Sequence, residues 1–329
     1  MADRAKVIKF SGVGMHSGVK TNVVITLAKS GGILFKRTDL SDATPIPATW
    51  DSVNFSGMMN TTIGVAPNEV QTIEHFMAAL FMSGISNAII EIDACEFPIM
   101  DGGTDEFMKL LPCANDPMKK IIVRKEVIAT RSEINKTLPF IKRIMLWLYN
   151  LKTGRREDGF VKLSPNPNGL EIDATLIYPD KIIGDQKMKI LLDGTKKSYD
   201  NFIKNISKSR TFGRFWEHEY LKKRNMGKGA NEDNVIVIME PDDWDKIGDY
   251  AKTSAQLSKI SKNRGGATLM PLHSADEFVR HKIIDAIGDL YTSGGFIYGT
   301  LESYKGSHGL NNLVLRKLFS DHANYEIIE

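Results

Sequence analysis

Residues 277–290 read Glu-Phe-Val-Arg-His-Lys-Ile-Ile-Asp-Ala-Ile-Gly-Asp-Leu, and no other stretch limits the fold as much. His281, Asp285 and Asp289 fall at i, i+4 and i+8, so on a helix they line one face, a turn apart. Ile283, Ile284, Ile287 and Leu290 fall at core spacing on another face. The spacing predicts a long helix over 276–292. An imidazole and a carboxylate at i, i+4 can share one metal ion, a donor set that suits zinc. The same pair is common on exposed helices that hold no ion. A metal site needs a further ligand and catalytic groups from elsewhere in the chain.

At 329 residues the chain is long enough for two domains, each with its own core. Hydrophobic residues at 42% and charged residues at 25% are ordinary for a soluble globular protein. The formal charge of +3 is too small to argue for a nucleic-acid partner. Cys95 and Cys113 show no metal spacing, and so few thiols fit a reducing compartment. The start does not read as a signal peptide, and no run of about 18 apolar residues occurs. A cytoplasmic monomer is expected.

The first part of the chain reads as strands around helices. Thr21–Leu27, Gly32–Lys36 and Ala88–Ile92 read as strands. Val70–Ser83 reads as a helix with Ile73, Met77 and Leu80 on one face and Gly84 as its stop, and Thr104–Leu111 as a second helix. The order recurs later. Lys120–Ala129, Gly169–Ile177, Val235–Met239 and Phe296–Ser303 read as strands, and Tyr199–Ser207, Asp276–Thr292 and Gly309–Phe319 as helices. The expectation is α+β, with domains at 1–118 and 119–329.

Chemistry gathers in a few motifs. The first helix carries Thr72-Ile73-Glu74-His75, and a Glu beside a His in an apolar helix is costly unless both have partners. One reading is a partly exposed polar edge. The other makes His75 a third metal ligand and Glu74 the base acting on a metal-bound water, since two His and one carboxylate leave an open position. In Tyr304-Lys305-Gly306-Ser307-His308-Gly309, His308 can act as a general acid and Lys305 can hold a phosphate, the alternative being a polar loop. In Ser209-Arg210-Thr211-Phe212-Gly213 a hydroxyl can stabilise an oxyanion, although Ser and Thr are common in turns. Gly12-Val13-Gly14-Met15-His16-Ser17-Gly18 reads as a tight hairpin. It lacks the spacing and following helix of a dinucleotide fingerprint.

Together, Gly12–Gly18, Thr72–Leu80, Ser209–Gly213, Glu277–Tyr291 and Tyr304–Asn312 resemble the UDP-3-O-acyl-N-acetylglucosamine deacetylases, the zinc amidases of lipid A synthesis. The resemblance runs in order through nearly the whole chain. It implies two α+β domains in a sheet–helices–sheet sandwich, each with a small insert near the active site. It implies His75, His281 and Asp285 as zinc ligands, with Fe2+ as the other metal such ligands accept. Glu74 would be the base and His308 the acid, oriented by Asp289. Thr211 would stabilise the oxyanion. Lys282 and Lys305 would meet polar and diphosphate groups of a UDP-linked acylated amino sugar, and Tyr178 its uracil. Phe212, Phe215, Met226, Val235 and Val237, in an insert over about 211–238, would line the acyl passage.

Three features depart from the family pattern. Met100-Asp101-Gly102-Gly103-Thr104 matches its Met-Asp-Gly-Ser-small run only in part. His218 and Glu232 fall where apolar residues are usual. Residues from about 131 to 157 read as an insertion, in which Phe140, Ile144, Trp147 and Leu151 recur at helical spacing between basic flanks. That helix either covers the second domain's sheet or makes weak peripheral contact with an anionic membrane. Rival readings of the whole are a zinc amidase for another acetamido sugar, a nucleotide-sugar binding protein without turnover, and a scaffold stabilised by metal.

Overall fold

The computed structural model describes residues 6–54, 59–114, 116, 118–137, 143, 158–179, 181–223, 225–241, 243, 261–263 and 266–329. The first half runs β1 (Val7–Val13), β2 (Lys20–Leu27), β3 (Ile33–Arg37), β4 (Ile46–Pro47), β5 (Val53–Asn54), β6 (Thr62–Val65), β7 (Asn68–Val70), α1 (Glu74–Met82), β8 (Ala88–Ile92) and α2 (Asp105–Leu110). One sheet has the order β1-β2-β8-β3-β4, and β5, β6 and β7 form a small second one.

The second half runs β9 (Lys120–Val123), β10 (Val127–Thr130), α3 (Arg131–Thr137), β11 (Phe160–Pro165), β12 (Leu170–Ile177), β13 (Asp185–Leu192) and α4 (Lys196–Asn205). It continues with β14 (Thr211–Arg214), α5 (Phe215–Lys223), β15 (Val235–Met239), β16 (Ser261–Asn263), β17 (Gly266–Thr268), α6 (Glu277–Tyr291), β18 (Phe296–Tyr304), α7 (His308–Phe319) and β19 (Tyr325–Ile328). Its main sheet has the order β10-β11-β18-β12-β13, with β9 joining β18 to β19. The insert is a four-stranded sheet, β14-β15-β17-β16.

α1, α6 and α7 lie between the two main sheets. Phe76 on α1 meets Phe10 on β1 and Phe35 on β3, so α1 covers the first sheet. α6 packs on β12 and β13, α7 on β10 and β11, and α1 directly on α6. β12 alternates buried and half-buried residues along its length, the period-two pattern of a sheet covered on one face. Eight of the nine residues of α1 are buried, so its sequence is apolar nearly all round.

Two expected elements differ. The helix expected over 70–83 begins only at Glu74, because Val70 pairs with Ile63 in a hairpin and Thr72 is left-handed at φ +61°. The strand expected over 120–129 is two strands, since β9 pairs with β18 and β10 with β11. The amphipathic segment 138–151 lies outside the described residues apart from exposed Arg143. Among the described residues no helix is long and apolar enough to cross a membrane.

Candidate active site

α1 and α6 touch backbone to backbone. A Cβ on Gly288 would lie 1.8 Å from the carbonyl oxygen of Glu74, so only glycine allows this approach. The contact sets Glu74 and His75, at the start of α1, against the face of α6 that carries His281 and Asp285. His75 Nε2 and His281 Nε2 each lie 3.3 Å from Asp285 Oδ1. The two rings stand almost perpendicular with centroids 4.8 Å apart. All three residues are buried. Asp285 Oδ1 has no hydrogen-bond partner despite the two flanking imidazoles.

The chemistry of these donors fits a divalent cation. His281 Nδ1 lies 3.0 Å from the Ser209 carbonyl, which makes Nδ1 the donor and leaves Nε2 with a free lone pair. Burial holds the His281 pKa down at about 3, so the ring is neutral. For Asp285, burial works against the charged form, but the neighbouring His281 and Lys282 outweigh it. Its pKa sits well below the carboxylate range. Two imidazoles and an ionised carboxylate converge, and a divalent cation would satisfy the unpartnered oxygen. His75 Nδ1 is also buried without a partner.

A buried carboxylate and an imidazole, Glu74 and His308, stand beside this cluster. Glu74 Oε2 accepts the backbone N–H of Thr61 at 2.9 Å. Burial raises the Glu74 pKa, with His308 and His75 opposing. His308 Nδ1 donates to Asp289 Oδ2 at 2.9 Å. Burial disfavours the His308 cation, yet Asp289, Glu74 and Asp285 outweigh it and push the pKa up to about 10. Environments that shift two neighbouring groups in this way separate acid from base. Asp289 accepts two further bonds, from Thr61 Oγ1 at 2.5 Å and from Asn311 Nδ2 at 2.8 Å.

The 209–212 segment is pinned from both halves. Buried Arg210 binds Glu277 through its backbone N–H at 3.1 Å and its Nε at 3.0 Å. Thr211 donates its N–H to the Gly102 carbonyl at 2.9 Å. Phe212 packs edge-on against Phe278, with centroids 4.9 Å apart, and lies 6.1 Å from the His281 ring. The 100–104 turn tolerates no side chain at its centre. A Cβ on Gly102 would overlap the Asn234 carbonyl, and one on Gly103 would lie 2.7 Å from the Ser207 carbonyl.

Lys282 Nζ lies 2.8 Å from Asp285 Oδ2 and 5.5 Å over the Phe212 ring. Lys305 is left-handed at φ +50°, and its Nζ pairs with Asp158 at 2.7 Å. A cleft opens beside Lys282, Asp285 and His308, with Thr175, Leu176 and Ser303 among its walls. Tyr178 lies outside that lining, with the Arg214 guanidinium 5.0 Å over its ring and Phe212 at its edge. Phe215 and Val237 pack with Met239 and Ala267 in the core of the insert, where Val235 is also buried, and Met226 is half-buried. Glu232 is half-buried, and the His218 side chain lies outside the described residues. Sequence reasoning missed Thr61, the Arg210–Glu277 pair and Gly288. A buried Asn pair, Asn311 and Asn312, on an otherwise apolar helix face was a signal for Asn311.

A buried carboxylate, a charged imidazole and a convergent set of donors that could hold a metal ion, shared between two α+β halves, form the kind of site that a metal-assisted hydrolase uses. The chain belongs to the UDP-3-O-acyl N-acetylglycosamine deacetylase family, whose profile matches residues 4–249 and 253–320. It is similar to the UDP-3-O-acyl-N-acetylglucosamine deacetylase of Teredinibacter turnerae, 33% identical over 98% of this chain and 90% of the relative. The enzyme of that name from Shewanella frigidimarina is 34% identical over the same shares. That from Photobacterium profundum is 32% identical over 97% of this chain and 90% of the relative.

Proposed function

We propose that the protein is a zinc-dependent deacetylase that hydrolyses the 2-acetamido group of a UDP-3-O-acyl-N-acetylglucosamine in lipid A biosynthesis. The products are the free amine and acetate. The observation that carries this reading is the convergence of His75, His281 and Asp285 around an unpartnered buried oxygen, beside Glu74 and His308. A divalent ion bound there would supply Lewis-acid activation of water and of the acetyl carbonyl. Zinc suits the N2O donor set, and Fe2+ is the alternative.

Glu74 has one oxygen occupied by Thr61, so Oε1 is the atom assigned to take a proton from the attacking water. His308, kept cationic by Asp289, returns a proton to the amide nitrogen as the C–N bond breaks. The Thr211 hydroxyl is assigned to the developing oxyanion. Lys282 is assigned to the sugar's polar groups and Lys305 to the diphosphate, for which its bond to Asp158 must open. Tyr178 is assigned to the uracil. Phe212 and Met226 are assigned to the acyl chain, with Phe215 and Val237 shaping the wall behind them. The free thiols of Cys95 and Cys113 support a cytoplasmic setting.

The test is acetate release from the acylated UDP-sugar by zinc-loaded protein, set against the same sugar without UDP and against other acetamido sugars. Preferential turnover of the full substrate is expected. No acetate from it, with the metal bound, overturns the reading.

A further inference from the structure

We propose that Thr61 is the positioning residue that locks the base and the acid of this reaction into one geometry. The inference rests on Glu74 and His308 holding those roles. Thr61 precedes β6 in the first half and is 3% exposed. Its backbone N–H donates to Glu74 Oε2 at 2.9 Å, and its hydroxyl donates to Asp289 Oδ1 at 2.5 Å. The other Asp289 oxygen takes His308 and Asn311. One residue therefore touches both carboxylates, one on each helix of the α1–α6 pair.

Two buried carboxylates in one small volume repel unless donors separate them. Thr61 gives each of them one donor. On Glu74 this leaves a single oxygen for proton transfer. On Asp289 it fixes the carboxylate plane, and with it the tilt of the His308 ring. The Thr61 backbone is held independently of its hydroxyl. Ile73, just before α1, donates to the Thr61 carbonyl at 3.3 Å, and Thr62 Oγ1 donates to Asn60 Oδ1 at 3.1 Å. Asn60 Nδ2 in turn reaches Thr72 Oγ1 at 2.9 Å. Replacing the side chain removes the bond to Asp289 and leaves the bond to Glu74.

The experiment measures kcat, KM, bound metal and melting temperature for Thr61→Val, Thr61→Ser, Asp289→Asn and the Val–Asn double variant. Thr61→Val is expected to lower kcat by about 10–100-fold, the range for residues that orient a reacting group through another. KM stays within about twofold and the metal content holds. Thr61→Ser recovers most of the lost turnover. In the Asp289→Asn background Thr61→Val adds no further loss, because the hydroxyl acts through that carboxylate. Unchanged kcat with a lowered melting temperature reduces Thr61 to a staple between the halves and overturns the proposal. So does failure of Ser to rescue, or full additivity in the double variant. If Thr61→Val does not fold, Thr61→Ala carries the same comparison with Ser. Glu74→Gln or His308→Ala at full turnover overturns the underlying reading instead.

Discussion

Replacing Gly288 with alanine puts one methyl group where α1 and α6 meet. The new Cβ would lie 1.8 Å from the Glu74 carbonyl oxygen and 3.0 Å from its Cα. These are backbone atoms and cannot rotate away. An ordinary contact begins at 3.4 Å, so the helices must part locally by about 1.6 Å. His75 moves with Glu74, away from His281 and Asp285. Metal sites accept ligand distances within about 0.2 Å, so a shift several times larger breaks the site. Misplacement of about 1 Å costs on the order of 100-fold in rate. Overpacking adds about 1–3 kcal/mol of instability, or several degrees of melting temperature in a domain of this size. Gly288→Ala is therefore expected to fold with a lower melting temperature, to lose bound metal on dialysis, and to lose at least about 100-fold in kcat/KM. Metal content, calorimetry and acetate release read the three effects. A variant with full metal and wild-type kcat/KM would refute the argument that this contact sets the site.

Other changes test other parts. Glu74→Gln and His308→Ala should each lower kcat by about 10²–10⁴-fold, measured as acetate release with metal content unchanged. Glu74 works ionised, so turnover climbs as pH rises through its elevated pKa. His308 works protonated, so turnover falls as pH rises through its own, which is pushed up to about 10. Asp289→Asn removes the largest charge effect that raises it, and the alkaline limb of the pH–rate curve should move to lower pH. Chelation should abolish turnover while far-UV circular dichroism stays native, because one large apolar core shared by both halves holds the fold without an ion. Asp158→Asn frees Lys305 and should lower KM for the nucleotide-bearing substrate by up to about fivefold at low salt. The gain should fade at high salt, as for a partly exposed ion pair.

The elements that declared themselves in the sequence were those with one environment per face. α6 showed its isoleucine stripe and its His–Asp face at once, and both proved to be where the 3.6-residue period put them. β12 and β18 read correctly for the same reason, since alternation along one strand suffices. α1 was placed but begun too early. Its apolar spacing starts at Val70, the last residue of β7, and only the hairpin pairing with Ile63 takes Val70 out of the helix. The strands of the insert, apart from β15, carry too few residues to show any period.

The site divides in the same way. His75, His281, Asp285, Glu74 and His308 are residue types that cost free energy when buried, so their presence in apolar helices and a glycine-rich loop was a local signal. Thr61 and Gly288 carry no such signal. A threonine at the edge of a hairpin and a glycine in a helix are both commonplace, and each matters here through one atom. For Thr61 that atom is a hydroxyl oxygen facing Asp289 across 228 positions of sequence. For Gly288 it is a missing Cβ that lets Glu74 approach from the other half of the chain. Period and composition describe how a segment meets an averaged interior. They carry no information about which backbone it meets. A centre assembled from two halves therefore shows its reacting groups in sequence and hides the contacts that aim them.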